Sequence, residues 1–198
     1  MREQGRVRWK RFALLFVPAT VVATLLVGAA VQGAIGASFV VAGTPIKISA
    51  SLIKALGVVE FGSTVEMKNG KVIPVYVVGA RRVETFDLCQ SVKFPTPLGP
   101  VTLKTTAGDQ GEPVTSEHQV TKALMIAGDT TYTDLEVGRD ASTLDTVPGI
   151  TGPPGTFGQQ STTVVTRNSR QILLALSAAK ITLPDSRLRV LVGDHPCF

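Results

Sequence analysis

Histidine, cysteine and charge are all scarce in this chain, and each scarcity removes a class of chemistry. The two histidines are His118 and His195, and the two cysteines are Cys89 and Cys197. Two separated histidines and two separated cysteines match no zinc-ligand spacing, and there is no C-x-x-C redox pair. Asp140 and Asp145 flank Ala141-Ser142-Thr143-Leu144 without an EF-hand pattern around them, so a calcium-stabilised loop is the minor reading there. The phosphate-cradling patterns G-x-x-x-x-G-K-S/T and G-x-G-x-x-G are missing. The strained elbow G-x-S-x-G of α/β hydrolases is missing too, because Gly62-Ser63 and Ala37-Ser38 lack the second glycine. Asn-x-Ser/Thr is absent, since Asn69 precedes Gly-Lys and Asn168 precedes Ser-Arg. Either histidine has the chemistry of a general base. His195, however, lies between Asp194 and Pro196-Cys197, which favours a structural role near the terminus. His118 follows Glu117 in a polar segment and reads as part of a solvated face. No catalytic, metal or cofactor residue is therefore assigned, and no cofactor is expected.

Charged residues make up 18% of the 198, against about 25% in ordinary soluble domains. The net charge of +5 is concentrated at one end: Arg2, Arg6, Arg8, Lys10 and Arg11 precede residue 12, with only Glu3 against them. The rest holds 20 − 5 = 15 basic and 15 − 1 = 14 acidic residues and is close to neutral. Nucleic-acid binding needs cations gathered where phosphates lie, so that partner is not expected.

The basic tail instead flanks an apolar run. No charged residue occurs from Phe12 to Ile46. Phe12 to Ile35, as a helix, would span about 36 Å, enough for a hydrocarbon core of about 30 Å. Trp9 sits at the boundary an indole prefers, and Pro18 lies near one end, where a lost backbone donor is best tolerated. The positive-inside rule gives a cytoplasmic tail over 1–11, a transmembrane signal-anchor helix over 12–37, and an extracytoplasmic domain over 38–198. The main alternative is a signal peptide cleaved after Ala30 or Gly36, leaving a secreted domain; a buried core helix is the remaining one. No cysteine precedes residue 89, which excludes a lipoprotein anchor. In an exported domain Cys89 and Cys197 read as one disulfide closing a loop of about 109 residues, worth about 4.7 kcal/mol in the chain-entropy model. The alternative is two buried free thiols.

Beyond the anchor, β signals dominate. Ile46-Lys47-Ile48 alternates, and Arg187-Leu188-Arg189-Val190 sets its arginines and its aliphatics on opposite faces. Tyr132 to Val137, Val101 to Lys104, Thr162 to Thr166 and Ile172 to Leu176 add strands. Val72 to Val78 is β-rich, with Pro74 pointing to an edge or bulge. Lys68-Asn69-Gly70-Lys71 predicts a hairpin turn. Short helices are predicted at Ser116 to Met125 and Ser51 to Leu56. Phe94 to Pro100 predicts a rigid extended connector. Val147 to Gln160 predicts an exposed loop, because Gly149, Gly152, Gly155 and Gly158 mimic a collagen register too short to sustain a triple helix. Many short strands with Gly and Pro punctuation predict a mainly β fold: a single exported domain, sandwich-like or a layered β-solenoid, after one N-terminal transmembrane helix.

Six stretches stand out together: Gly33 to Gly43, Leu88-Cys89-Gln90-Ser91-Val92, Pro95 to Leu103, Val137-Gly138-Arg139-Asp140-Ala141-Ser142, Gly155-Thr156-Phe157-Gly158-Gln159-Gln160, and the terminal Cys197-Phe198. In combination they resemble an actinobacterial family of exported proteins of unknown function, whose members often carry the label cholesterol esterase. The resemblance implies an N-terminal membrane segment and an envelope location, and supplies no catalytic residue. The expectation is a membrane-anchored envelope protein acting as a non-enzymatic binding or structural module. Its partners would be membrane lipid through the helix, and an envelope protein, a lipid, a wall polymer or a second copy through the domain. A lipid ester hydrolase with an atypical site is the alternative.

Overall fold

β-branched residues fill the chain beyond residue 45, and they form strands longer than the turn spacing predicts. The computed structural model of the protein describes residues 43–97, 99–109 and 111–198. The strands are β1 (Ile46–Glu66), β2 (Val72–Phe86), β3 (Leu88–Thr96), β4 (Gly99–Ala107), β5 (Val114–Thr133), β6 (Glu136–Asp140), β7 (Phe157–Ser177), β8 (Lys180–Thr182) and β9 (Arg187–Val192). One 3-10 turn, Ala141–Thr143, is the only helical element among the described residues. None of their helices is long and apolar enough to cross a membrane. The basic tail 1–11 and the apolar segment 12–37 lie outside them.

The mainly β expectation is met, but neither a sandwich nor a solenoid forms. All strands belong to one antiparallel sheet, in the order β6-β7-β5-β2-β1-β3-β4-β9, with β8 on β5 and a further pairing of β7 with β1. The ladder therefore closes on itself: β1 to β2, β2 to β5, β5 to β7, and β7 back to β1. Closure pairs the central stretches of the four longest strands on both sides.

The register explains how so few strands enclose an interior. Ala55 on β1 faces Val164 on β7, which faces Tyr132 on β5. On its other side Ala55 faces Val83 on β2, which faces Ser116, again on β5. One circuit thus advances 132 − 116 = 16 residues along β5. In a closed sheet, stagger fixes strand tilt, and steep tilt widens a barrel of few strands. Steeply tilted strands must be long to complete their path, and these run to 21, 15, 20 and 21 residues in β1, β2, β5 and β7.

This closure overrides several local signals. The segment Ser116 to Met125, predicted helical, lies within β5, and Ser51 to Leu56 lies within β1. Helices that short are marginal alone, whereas both segments gain ladder bonds on two sides. Thr162 to Thr166 and Ile172 to Leu176, predicted as two strands, are halves of β7. Tyr132 to Val137 breaks at Asp134, whose φ is +51°, into the end of β5 and the start of β6. Phe94 to Pro100 is no connector: Pro95 pairs with Pro100 and Thr96 with Gly99 in a β3–β4 hairpin. Pro74 lies in the stretch of β2 that has β1 alone as partner, which tolerates a missing donor. The Asn69-Gly70 turn joins β1 to β2 as predicted, with Gly70 at φ +77° and its N–H donating to the Met67 carbonyl at 2.8 Å.

Two cores result. Inside the barrel Ala55, Val58, Ala80, Val83 and Val164 pack together. On the outer face of β1 and β2, Val59, Phe61, Val75 and Val77 pack under Ala141, Leu144 and Val147. The predicted exposed loop is therefore in part a cover, with Val147 fully buried.

Candidate functional site

The barrel interior holds a cavity of about 130 Å³. Its wall follows the register in rings. Ile53, Thr85, Thr130 and Thr166 line one level, and Ala55, Val83, Ser116, Tyr132 and Val164 the next. Val58 and Ala80 follow, then Glu60, Val78, Thr121 and Leu176. Inward positions on β1 shift from Ile53 and Ala55 to Val58 and Glu60 because the strand turns at Gly57. That glycine has φ +58°, and a Cβ there would lie 2.2 Å from Arg81 Nε. A strand that keeps strict alternation cannot make this change of face. Among the described residues, the lining has one charged side chain, Glu60, and otherwise aliphatic, hydroxyl and amide side chains.

Glu60 is 6% exposed and is the meeting point of the closed ladder. Tyr76 of β2 donates to its Oε2 at 3.3 Å, Tyr132 of β5 donates to the same oxygen at 3.4 Å, and Gln159 Nε2 of β7 donates there as well. Each of the other barrel strands thus contributes one donor. A buried carboxylate is costly unless hydrogen bonded, and three neutral donors meet that need. Burial, followed by the charge of Glu60, raises both phenols above their ordinary value near 10. Both stay protonated and act as donors at any physiological pH.

The stretches Val137 to Ser142 and Gly155 to Gln160 serve the cover over the outer core. Asp140 Oδ1 accepts from the Ser142 N–H at 2.9 Å and hydroxyl at 2.8 Å, and Oδ2 accepts from Gly155 N–H at 2.8 Å. These bonds hold the carboxyl below its usual range. Arg139 bridges Glu136 at 2.8 Å and Asp145 at 3.4 Å. Gln160 Oε1 accepts from the N–H groups of Asp145 and Thr146, and its Nε2 donates to Glu136 and Asp145. The Gln160 amide and then the Arg139 charge hold Asp145 low in turn. Asp140 and Asp145 are thus engaged by protein donors, and no cluster of three metal-ligating side chains occurs among the described residues. The glycine spacing of three has a mixed origin. Gly149 and Gly155 have φ +77° and +75°, whereas Gly152 and Gly158 lie against Ala141, with ideal Cβ positions 2.6 and 2.9 Å from its atoms.

The other sequence candidates are placed elsewhere. His195 lies beside the terminus: its N–H donates to Thr102 Oγ1 at 3.2 Å and its Nε2 lies 3.0 Å from the Val192 carbonyl. His118 is exposed, at φ +46°. Neither histidine lines the cavity, and the one serine that does, Ser116, donates to Gln119 Oε1 at 2.6 Å. Cys89 and Cys197 sit at disulfide distance, with sulfurs 1.98 Å and Cα atoms 5.8 Å apart. Beside them a second hollow of about 190 Å³ is lined by Lys47, Lys93 and Asp194 among others. Its charges are already engaged: Lys93 pairs with Asp194 at 2.7 Å, and Lys47 Nζ donates to the Phe198 carbonyl at 2.9 Å. On β9, Leu188, Val190 and Val192 share a face, as the alternation predicts, but stay 68%, 66% and 78% exposed.

Sequence reasoning missed Glu60. Its one signal is a lone charge inside the apolar run Val58-Val59-Glu60-Phe61.

Comparison with known families matches residues 42–198 to a family described as "Family of unknown function (DUF6230)". The chain belongs to that family. No curated protein and no solved structure matches it.

Proposed function

We propose that this DUF6230 member is a non-enzymatic binding module of the cell envelope, taking a small apolar or lipid-derived ligand inside its barrel. Residues 12–37 hold it in the membrane, residues 1–11 remain in the cytoplasm, and the β domain faces outward. The observation that carries the ligand reading is the cavity of about 130 Å³, walled by aliphatic and neutral polar side chains around one carboxylate. Ligand sites are typically concave and mostly apolar, with a few convergent polar groups that fix orientation. The basic flank, the uncharged run after it and the resemblance to exported actinobacterial proteins support the envelope location.

The ester-hydrolase alternative gains no support from the cavity, because Ser116 has an amide oxygen as its partner rather than a base. The test uses the full chain extracted in an amphipathic polymer without detergent. Native mass spectrometry should find a small apolar molecule retained by the wild type and lost in Ala55→Trp, whose indole fills the central ring. A wild type that carries nothing and shows no saturable uptake of decan-1-ol would sink the binding reading. Turnover of short acyl esters abolished by Ser116→Ala would replace it with the hydrolase.

A further inference from the structure

The charge inside the barrel narrows the class of ligand. Of the described residues lining the cavity, Glu60 alone carries a charge, and no lysine, arginine or histidine is among them. Its three donors, Tyr76, Tyr132 and Gln159, are all neutral. Three donors on one oxygen suit a carboxylate, which accepts only. The lining itself therefore leaves a negative charge at one end of an apolar space. In such surroundings a charge acts more strongly than in water. Tyr76 and Tyr132 are only partly buried, so this end lies close to the surface and a polar head can reach it. Away from Glu60, the small side chains Ala55, Val58, Ala80 and Val164 leave a space suited to an unbranched alkyl chain.

We infer that the cavity selects a single-chain amphiphile with a cationic, hydrogen-bond-donating head held at Glu60, and rejects fatty-acid anions. This rests on the cavity being a ligand site, as proposed above. It adds a sign rule that cavity shape alone does not give. Like charges brought together in a site cost several kcal/mol, whereas a close opposite pair repays its desolvation and in some sites is net favourable. The ammonium would donate to Glu60 while Tyr76, Tyr132 and Gln159 keep their bonds to the same carboxylate.

The test compares decylamine, decan-1-ol and decanoate, which share one chain length, on the full-length protein in amphipathic polymer at neutral pH. Saturable binding is expected in the order amine, alcohol, carboxylate, with about tenfold or more between amine and carboxylate. Glu60→Gln should bring the three within about threefold of one another. Wild-type binding of decanoate as tight as that of decylamine would overturn the inference and leave the cavity reading standing. A persisting preference in Glu60→Gln would overturn it as well. Should Glu60→Gln fail to fold, the wild-type order decides alone. If none of the three binds saturably, the cavity reading itself fails, and this inference with it.

Discussion

At the scale of single residues, Glu60 organises the interior. It draws one donor from each of β2, β5 and β7, so its removal acts on three strands at once. Tyr76 offers a clean measurement of this coupling. Its phenol is raised by burial first and by Glu60 second. A group whose folded pKa is raised contributes stability that is complete below its unfolded value, near 10, and lost as pH climbs through the folded value. Denaturant unfolding between pH 8 and 11 should therefore show wild-type stability falling above about pH 10. Tyr76→Phe should fall less steeply over the same window; parallel curves would show that Tyr76 is not coupled to the fold in this way. Leu173 is fully buried in the cluster it forms with Ile48, Leu88 and Ala123. Leu173→Ala should cost about 2–5 kcal/mol by the same unfolding measurement. A loss below about 1 kcal/mol would mean that the site collapses around the gap.

At the scale of elements, two of the stretches that carry the family resemblance, residues 137–142 and 155–160, build the cover over the outer core. Gly152 lies against Ala141 and Phe61, with an ideal Cβ position 2.6 Å from Ala141 Cβ and 2.7 Å from Phe61 Cδ2. Gly62, one residue after Phe61 on β1, has nothing within 4 Å of its own. Gly152→Ala should cost about 1–3 kcal/mol by overpacking, whereas Gly62→Ala should be neutral or slightly stabilising. Equal effects at the two positions would contradict the packing. Asp140→Ala should release the cover without unfolding the barrel. Hydrogen exchange would show faster exchange at Ser142 and Gly155, with β1 and β7 still protected. Much of this scale was legible in the sequence. The Asn69-Gly70 turn, the strand character of residues 46–48, 101–104 and 187–190, and the tie between Cys89 and Cys197 could be read because each depends on local chemistry or on a pair. What could not be read depends on partners remote in sequence. Val120, Ala123 and Leu124 show helical spacing, yet β5 is a strand because β2 and β7 flank it. The change of inward face at Gly57 breaks the alternation on which strand reading depends. The collagen-like glycine spacing mixes positive φ at Gly149 and Gly155 with close contact at Gly152 and Gly158, so one pattern hides two causes.

At the scale of the whole molecule, three features combine: a closed ladder of long strands, a disulfide that ties the last residues to β3, and an apolar run ahead of the domain. The bond links positions 108 apart, and removing a native disulfide of this kind costs about 2–5 kcal/mol. Cys89→Ser with Cys197→Ser should lower denaturant stability by that amount; an unchanged midpoint would show that Cys197 adds nothing beyond the Ser91 and Thr102 bonds near the terminus. The envelope location is tested on intact cells. External trypsin should cut at Lys68 or Lys71 in the exposed β1–β2 turn and leave residues 1–11 intact inside. A domain fully protected until lysis would overturn the orientation. Glu60 was the largest omission of the sequence reading, because its neighbours become neighbours only when β1, β2, β5 and β7 close. The central claim is that this closure makes a ligand site. The most direct measurement is equilibrium binding of radiolabelled decan-1-ol to the full-length protein in amphipathic polymer, run in parallel on Ala55→Trp. Saturable binding by the wild type that is lost in a folded Ala55→Trp variant is the expected result; equal binding by both, or none by the wild type, would contradict it.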